Sequence, residues 1–174
     1  MKYVPKNIIQ IGRTAAVVVV ASLFIVPRAS ATPGSGFVPS PIVNGHFGTL
    51  SINTAGNKTG KWGLIMKTLD DTDVGADRLT VQPDGYSGWH AHPGPVLITV
   101  TQGSVDWYDG SDPVCPAHHY SQGQSFIENA YRIHNVRNAS SSESAEFIAT
   151  TIKPVGFVGP AFRLDEPEPT NCKF

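Results

Sequence analysis

Short runs of β-branched and aromatic residues, separated by turn-forming residues, make up most of the chain from Lys61 onward. This pattern is the strand signal, and no helical period competes with it. The predicted strands are Trp62 to Leu69, Arg78 to Gln82, Val96 to Thr101, Ser104 to Tyr108, Ser125 to Glu128, His134 to Asn138 and Ala145 to Ile152. Turn pairs such as Asp84-Gly85 and Gln102-Gly103 lie between the runs, so the sequence predicts an all-β sandwich or barrel.

Alternation within a run assigns the faces of a strand. Val96, Ile98 and Val100 share one parity, while Thr99 and Thr101 hold the other. Because alternate side chains of a strand point to opposite faces, the three apolar residues are predicted to face the core. With no internal repeat and no change of composition after residue 60, we expect one barrel over residues 61–174.

The segment before the barrel has a different composition. Residues 32–60 are rich in Gly, Pro, Ser and Asn, with short apolar islands such as Phe37-Val38 and Ile42-Val43. We interpret this segment as an N-terminal arm or edge strand with loops.

Residues 1–31 resemble a targeting segment. Three basic residues precede the apolar run Thr14 to Val26, and Ala29-Ser30-Ala31 forms a small-residue cleavage site. The apolar run is shorter than the roughly 20 residues of a spanning helix, although an uncleaved membrane anchor remains the alternative. We therefore expect a signal peptide, a secreted or periplasmic mature chain beginning near Thr32, and no stable membrane insertion after cleavage.

Charge limits the partners of the mature protein. Removal of residues 1–31 takes away four basic residues and no acidic one, so the formal net charge changes from −1 to −5. The remaining basic residues are scattered singly, which argues against nucleic acid and anionic membranes as partners.

The two cysteines, Cys115 and Cys172, are expected to pair. Disulfides form and persist in the compartments to which a signal peptide leads. Two free thiols are the alternative.

The pair His90 and His92 is the clearest chemical signal in the chain. Their spacing of two puts both rings on the same face of a strand, which is chelating geometry. Imidazole is a common ligand for divalent transition metals, and a third ligand has to come from another strand. A surface turn before Pro93 is the alternative interpretation of the pair.

Two motifs of this chain resemble those of the cupin superfamily, in particular its small secreted, single-domain members of the cupin_2 type. The first motif of that family is matched by Gly85, His90, His92 and Gly103, and the second by Gly123, His134 and Asn138. The match extends over roughly residues 62–153. The resemblance implies a single jelly-roll barrel of six to eight strands that holds one divalent metal through His90, His92 and His134. It also implies a possible homodimer, with the arm exchanged between subunits.

The chain departs from the family at the expected glutamate ligand, where Val96 stands, or Leu97 if the spacer is longer by one. Three histidines without a carboxylate resemble the thiol-dioxygenase branch of the superfamily, and they also suit zinc with a bound water. The identity of the metal, whether Fe, Zn, Mn, Ni or Cu, stays open. Glu128 is the candidate catalytic acid or base, or a replacement ligand.

Two classes of function follow from these motifs. The first is a metal-dependent enzyme of the oxygenase or isomerase type that acts on a small molecule. The second is a non-catalytic module that binds a metal or a small ligand, or has a structural role. Outside the motifs, we expect His118 and His119 to lie in a solvated loop and His46 to have no partner.

Overall fold

The computed structural model describes residues 31–54, 62–157 and 159–172 of the 174-residue chain. Apart from Ala31, the predicted signal peptide lies outside the described residues. The elements in chain order are β1 (Ser35–Phe47), β2 (Ser51–Asn53), β3 (Ile65–Lys67), β4 (Thr72–Tyr86), β5 (His90–Ala91), β6 (Val96–Gln102), β7 (Ser104–Asp109), β8 (His118–Ser121), β9 (Ser125–Glu128), β10 (His134–Asn138), β11 (Ala145–Pro154), a short 3-10 helix (Gly159–Phe162) and β12 (Leu164–Asp165).

Ten of the strands form one antiparallel sheet that curls into a nearly closed barrel. Its longest path runs β12-β5-β10-β4-β11-β6-β9, with β1 paired to β4 and β7 paired to both β10 and β8. The remaining two strands, β2 and β3, make a separate hairpin. The predicted all-β fold with a single jelly-roll barrel is confirmed.

The core of the barrel follows the alternation of its strands. Val96, Ile98 and Val100 are at most 2% exposed, so their predicted inward direction is confirmed. On β11 the buried positions alternate along the whole strand, from Ala145 to Lys153. The inward face of β11 therefore begins with apolar side chains and ends with polar ones.

Tight turns between neighbouring strands keep the barrel compact. Gly103 connects β6 to β7 with a φ of 66°, a left-handed conformation that favours glycine. A Cβ at this position would lie 3.1 Å from the carbonyl oxygen of Ser144. The last glycine of the first motif is thus required by the turn and not by the metal site.

The strands differ from the sequence prediction in several places. β4 extends from Thr72 to Tyr86, well beyond the predicted run Arg78 to Gln82. Only Ile65–Lys67 of the run Trp62 to Leu69 is a strand, and its partner is the short β2. The expected loop placement of His118 and His119 is wrong, because they begin β8 and pair with Trp107 and Asp106 of β7, while the expected solvent exposure holds for His119. Pairing in the ladder satisfies their backbone groups while their side chains stay at the surface.

His46 also has a partner that the sequence did not reveal. Its Nδ1 lies 3.0 Å from Oδ1 of Asp73, across the ladder between β1 and β4. That ladder runs from Phe47 opposite Thr72 to Ser35 opposite Tyr86. Most of the described part of the segment 32–60 therefore belongs to the barrel sheet as an edge strand.

A disulfide joins Cys115 to Cys172, with a Cα–Cα distance of 5.4 Å. Both sulfurs are in a small apolar cluster with Trp89, which is 1% exposed. Trp89 precedes His90, so the disulfide connects the tail of the chain to the outside of the wall that carries the histidines.

Candidate metal centre

His90, His92 and His134 come together inside the barrel. His90 of β5 lies directly opposite His134 of β10 in the antiparallel ladder, and His92 follows β5 at the same parity as His90. The three side chains are buried, and one ring nitrogen from each lies within 4.8 Å of those from the other two. Two strands that are adjacent in space, although distant in sequence, thus assemble the predicted trio.

The protein orients each imidazole through its other nitrogen. The Nδ1 atoms lie 2.9 Å from the carbonyl oxygen of Gly88 for His90, 3.1 Å from that of Phe162 for His92, and 2.8 Å from that of Arg132 for His134. A carbonyl oxygen only accepts, so each Nδ1–H donates, and in the neutral imidazole Nε2 is the nitrogen that carries the lone pair. This is the arrangement by which proteins fix metal-binding histidines.

Glu128 supplies the carboxylate that the first motif lacks. It lies directly opposite Val96 in the ladder between β9 and β6 and is 3% exposed. Its carboxylate oxygens are 3.2 Å from Nε2 of His134 and 3.5 Å from Nε2 of His92. The candidate acid or base predicted from the sequence is therefore part of the histidine cluster.

Burial and mutual charge set the protonation of this cluster. Burial, followed by the neighbouring charges of His134 and His92, holds the pKa of His90 well below its usual value. Burial alone would raise the pKa of Glu128, but the charge and proximity of His134 outweigh it and lower that pKa. The same carboxylate outweighs burial at His134 and raises its pKa. Glu128 is thus an anion that faces basic nitrogens.

The donor set fits a divalent cation. Nε2 of His134 is fully buried and, despite its closeness to Glu128, has no hydrogen bond of acceptable geometry among the described residues. A buried polar atom left without a partner costs about 1–3 kcal/mol, so such atoms in native proteins call for an explanation. Three lone pairs and one carboxylate around a common point are what a transition-metal ion or zinc requires.

A cavity of about 650 Å³ opens beside the cluster, and His92 and Glu128 form part of its wall. Its apolar lining includes Phe37, Leu79, Ile98, Val136, Phe147 and Ala149. This volume lies within the range of small-molecule sites. The ring of Phe162 stacks on His92 at 4.6 Å between centroids and forms another part of the wall.

The sequence did not predict five polar residues of the cavity: Thr151, Lys153, Arg163, Asn44 and Asp77. The first two share the inward parity of Phe147 and Ala149 on β11, a signal that the alternation of that run contains. Arg163 follows the 3-10 helix, where no alternation of residues along a strand indicates which side chains face inward.

Comparison with known proteins identifies the domain. A family model described as a cupin domain, Cupin_2, matches residues 77–151, which include all three histidines and Glu128. A search of curated proteins finds no match.

Solved structures of low sequence identity resemble parts of the chain. A conserved protein of unknown function from Streptococcus pyogenes is 17% identical, with 47% of this chain and 65% of that chain covered and a TM-score of 0.39. A conserved Klebsiella pneumoniae protein with a double-stranded β-helix domain is 21% identical, with 53% of this chain and 75% of that chain covered and a TM-score of 0.42. A cupin-2 domain protein of Rhodospirillum rubrum is 12% identical, with 68% of this chain and 61% of that chain covered and a TM-score of 0.47. The chain thus spans less than two thirds of the Streptococcus and Rhodospirillum proteins.

None of the helical segments in the described residues has the length and apolar character needed to cross a membrane.

Proposed function

Because this chain belongs to the cupin superfamily, we propose that it binds one divalent metal ion through His90, His92, His134 and Glu128. We further propose that the metal serves an enzyme of the oxygenase or isomerase type, which acts on a small molecule held in the adjoining cavity. The metal is Fe, Zn, Mn, Ni or Cu, all of which accept imidazole ligands.

One observation carries the proposal. All three Nδ1 atoms are fixed by backbone carbonyls, which leaves Nε2 of each histidine for a ligand, and one ring nitrogen from each histidine lies within 4.8 Å of the others, beside the Glu128 carboxylate. A histidine cluster that only filled the core would not need three matched orientations and a buried anion. The cost of burying an ionised carboxylate supports a cation at this point.

Residues of the chain would prepare a bound molecule for reaction. A bound divalent metal supplies Lewis acidity and, for iron, copper or manganese, redox chemistry. The apolar cavity wall excludes water around a substrate, which strengthens every polar interaction at the cluster. Glu128 is placed either to complete the ligand set or, if a ligand position is left to solvent, to take up a proton as the catalytic base.

Metal analysis tests the proposal directly. We expect about one equivalent of metal in the purified protein and almost none in the H90A/H92A/H134A variant. The matched control is H118A/H119A, which removes two surface histidines of β8 and should keep full occupancy. A full metal complement in the triple variant, with the barrel intact by circular dichroism, would refute the site.

The rival function is a binding module without turnover, and one feature favours it. Glu128 is engaged with two histidines, and Asp77 is the other acidic residue that lines the cavity in the described part of the chain. A separate acid and base pair is therefore not evident at the cluster. Native metal content separates the two functions: a redox-active ion that cycles with dioxygen supports the enzyme, whereas zinc without turnover supports the module.

We also propose export to a secreted or periplasmic location, with residues 1–31 as signal peptide, 32–60 as arm or edge strand and 61–174 as barrel. The disulfide between Cys115 and Cys172 supports an oxidising compartment. N-terminal sequencing of the exported protein tests cleavage before Thr32. The homodimer stays a prediction, which a sizing column with and without the arm checks.

A further inference from the structure

Three side chains that line the cavity beside the histidine cluster each keep a donor group without a protein hydrogen bond among the described residues, although Arg163 also binds Oδ1 of Asp165 through its Nε at 2.5 Å. Oγ1 of Thr151 and Nη2 of Arg163 are buried and have no hydrogen bond among the described residues. Lys153 is only 7% exposed, and within the same residues its ammonium contacts the ring of Phe162, 5.1 Å from the centroid, without an ion pair. Two cationic groups and a hydroxyl thus border the same space.

The sheet register places these donors near the candidate metal centre. Gly75, Thr151, Val96 and Glu128 are successive partners across β4, β11, β6 and β9, and all four are buried. Thr151 therefore lies two strands from Glu128, about 10 Å apart at the usual strand spacing. Lys153 is the next inward residue of β11. In the opposite direction along β11 lie Ala149 and Phe147, which are apolar.

The acidic residues nearby do not satisfy Lys153. Asp73 lies opposite it in the ladder, but its Oδ1 is 3.0 Å from Nδ1 of His46 and no ion pair with Lys153 forms. Asp77 is two inward positions further along β4, and Glu128 faces the histidines. A buried ammonium with no anion in ion-pair contact and no hydrogen-bond acceptor among the described residues is costly, and a ligand that brings an anion into contact lowers that cost.

We propose that the cavity binds an apolar monocarboxylate, whose carboxylate is held by Lys153, Arg163 and Thr151. Its alkyl or aryl body occupies the apolar depth of the cavity between Ile98 and Phe147. This inference rests on the proposed function, because it names the class of small molecule presented to the metal. One negative charge suits the site better than two, since Asp73 lies opposite Lys153 and Asp165 pairs with Arg163, and both already offset part of the positive charge.

Isothermal titration calorimetry with 3-phenylpropionate and its uncharged analogue 3-phenylpropanamide tests the proposal. We expect the carboxylate to bind more tightly than the amide. Lys153→Met should weaken the carboxylate about tenfold to a hundredfold, the usual effect of losing a hydrogen bond to a charged group, and should leave the amide unchanged. Lys67→Met, at an exposed lysine of β3, is the matched control and should bind like the wild type.

A second variant protects the test against misfolding. If Lys153→Met loses the barrel spectrum by circular dichroism, Arg163→Gln replaces it, since that side chain is partly exposed. Equal affinity for carboxylate and amide, an equal loss of both in the variant, or no binding of 3-phenylpropionate at millimolar concentration would each overturn the proposal.

Metal content measured on the same samples separates this inference from the proposed function. Carboxylate binding that depends on Lys153 in a protein without metal supports the ligand class and refutes the metal centre. Stoichiometric metal together with no preference for the carboxylate supports the metal centre and refutes the ligand class.

Discussion

Glu128 lies directly across the β6–β9 ladder from Val96, the residue that occupies the family's expected glutamate position. The carboxylate therefore reaches the histidine cluster from the neighbouring strand, within 3.2 Å of Nε2 of His134. The carboxylate of this cluster is thus on β9, at Glu128, and not on β6, at the position of Val96.

Glu128→Gln should lower metal affinity about tenfold to a hundredfold, the range typical for altering a group that supports a metal site. The amide keeps the shape of the side chain but loses its negative charge and one acceptor. Competition with a chromophoric chelator measures the change. Glu143→Gln, at an exposed residue, serves as control, and an unchanged affinity in Glu128→Gln would show that the carboxylate does not contact the metal.

The histidine trio was predictable because each of its features is local. The spacing of His90 and His92 fixes their common face on a strand, and His134 stands in a motif of its own. Both features can be identified even when the strand boundaries are predicted wrongly. For the same reason the barrel and the inward direction of Val96 were predictable from turns and alternation.

The carboxylate position depends on register between strands that are distant in sequence. No local pattern states that Glu128 pairs with Val96, since a shift by one residue would turn the side chain to the other face. Lys153 was overlooked for a different reason: the alternation of β11 places it inside, but a charged residue at a strand end is ordinarily exposed. Arg163 reaches the cavity only through the path of the tail.

Asn138→Ala should destabilise the protein by about 2–3 kcal/mol without changing metal affinity, because it leaves buried backbone groups without partners. Its Nδ2 donates to the carbonyl oxygens of Val81, Gln82 and Glu143, while its Oδ1 accepts from the amide of Ser140. Urea denaturation gives the free energy of unfolding. Asn129→Ala, at an exposed site, should change it by less than about 0.5 kcal/mol. Equal stability of the two variants would contradict this structural role.

Removal of the disulfide by Cys115→Ser and Cys172→Ser together should lower the free energy of unfolding by about 4 kcal/mol on the chain-entropy model. The bond closes a loop with a sequence separation of 57 residues, and it packs against Trp89. Urea denaturation of the oxidised wild type and of the double variant measures the difference. The reduced wild type should have the same urea midpoint as the double variant. If the double variant instead had the midpoint of the oxidised wild type, the bond would not stabilise the barrel.

Asp109→Asn should destabilise the protein by about 1–2 kcal/mol near pH 7, a value at the low end for charge-assisted bonds because Arg132 is partly exposed. The Asp109 carboxylate accepts hydrogen bonds from Arg132 and Ser111. Burial raises the pKa of Asp109, but these bonds outweigh it and hold the pKa below its ordinary value. The folded state thus binds the proton less readily than the unfolded state. The Asp109 charge therefore contributes to the free energy of unfolding above about pH 4, and this contribution is lost as pH falls through the folded-state pKa.

Urea titrations between pH 3 and 7 should show the free energies of unfolding of the wild type and Asp109→Asn converging in acid, while the exposed control Asp71→Asn stays close to the wild type throughout. A difference in stability that does not change with pH would mean that Asp109 acts through packing and not through its charge.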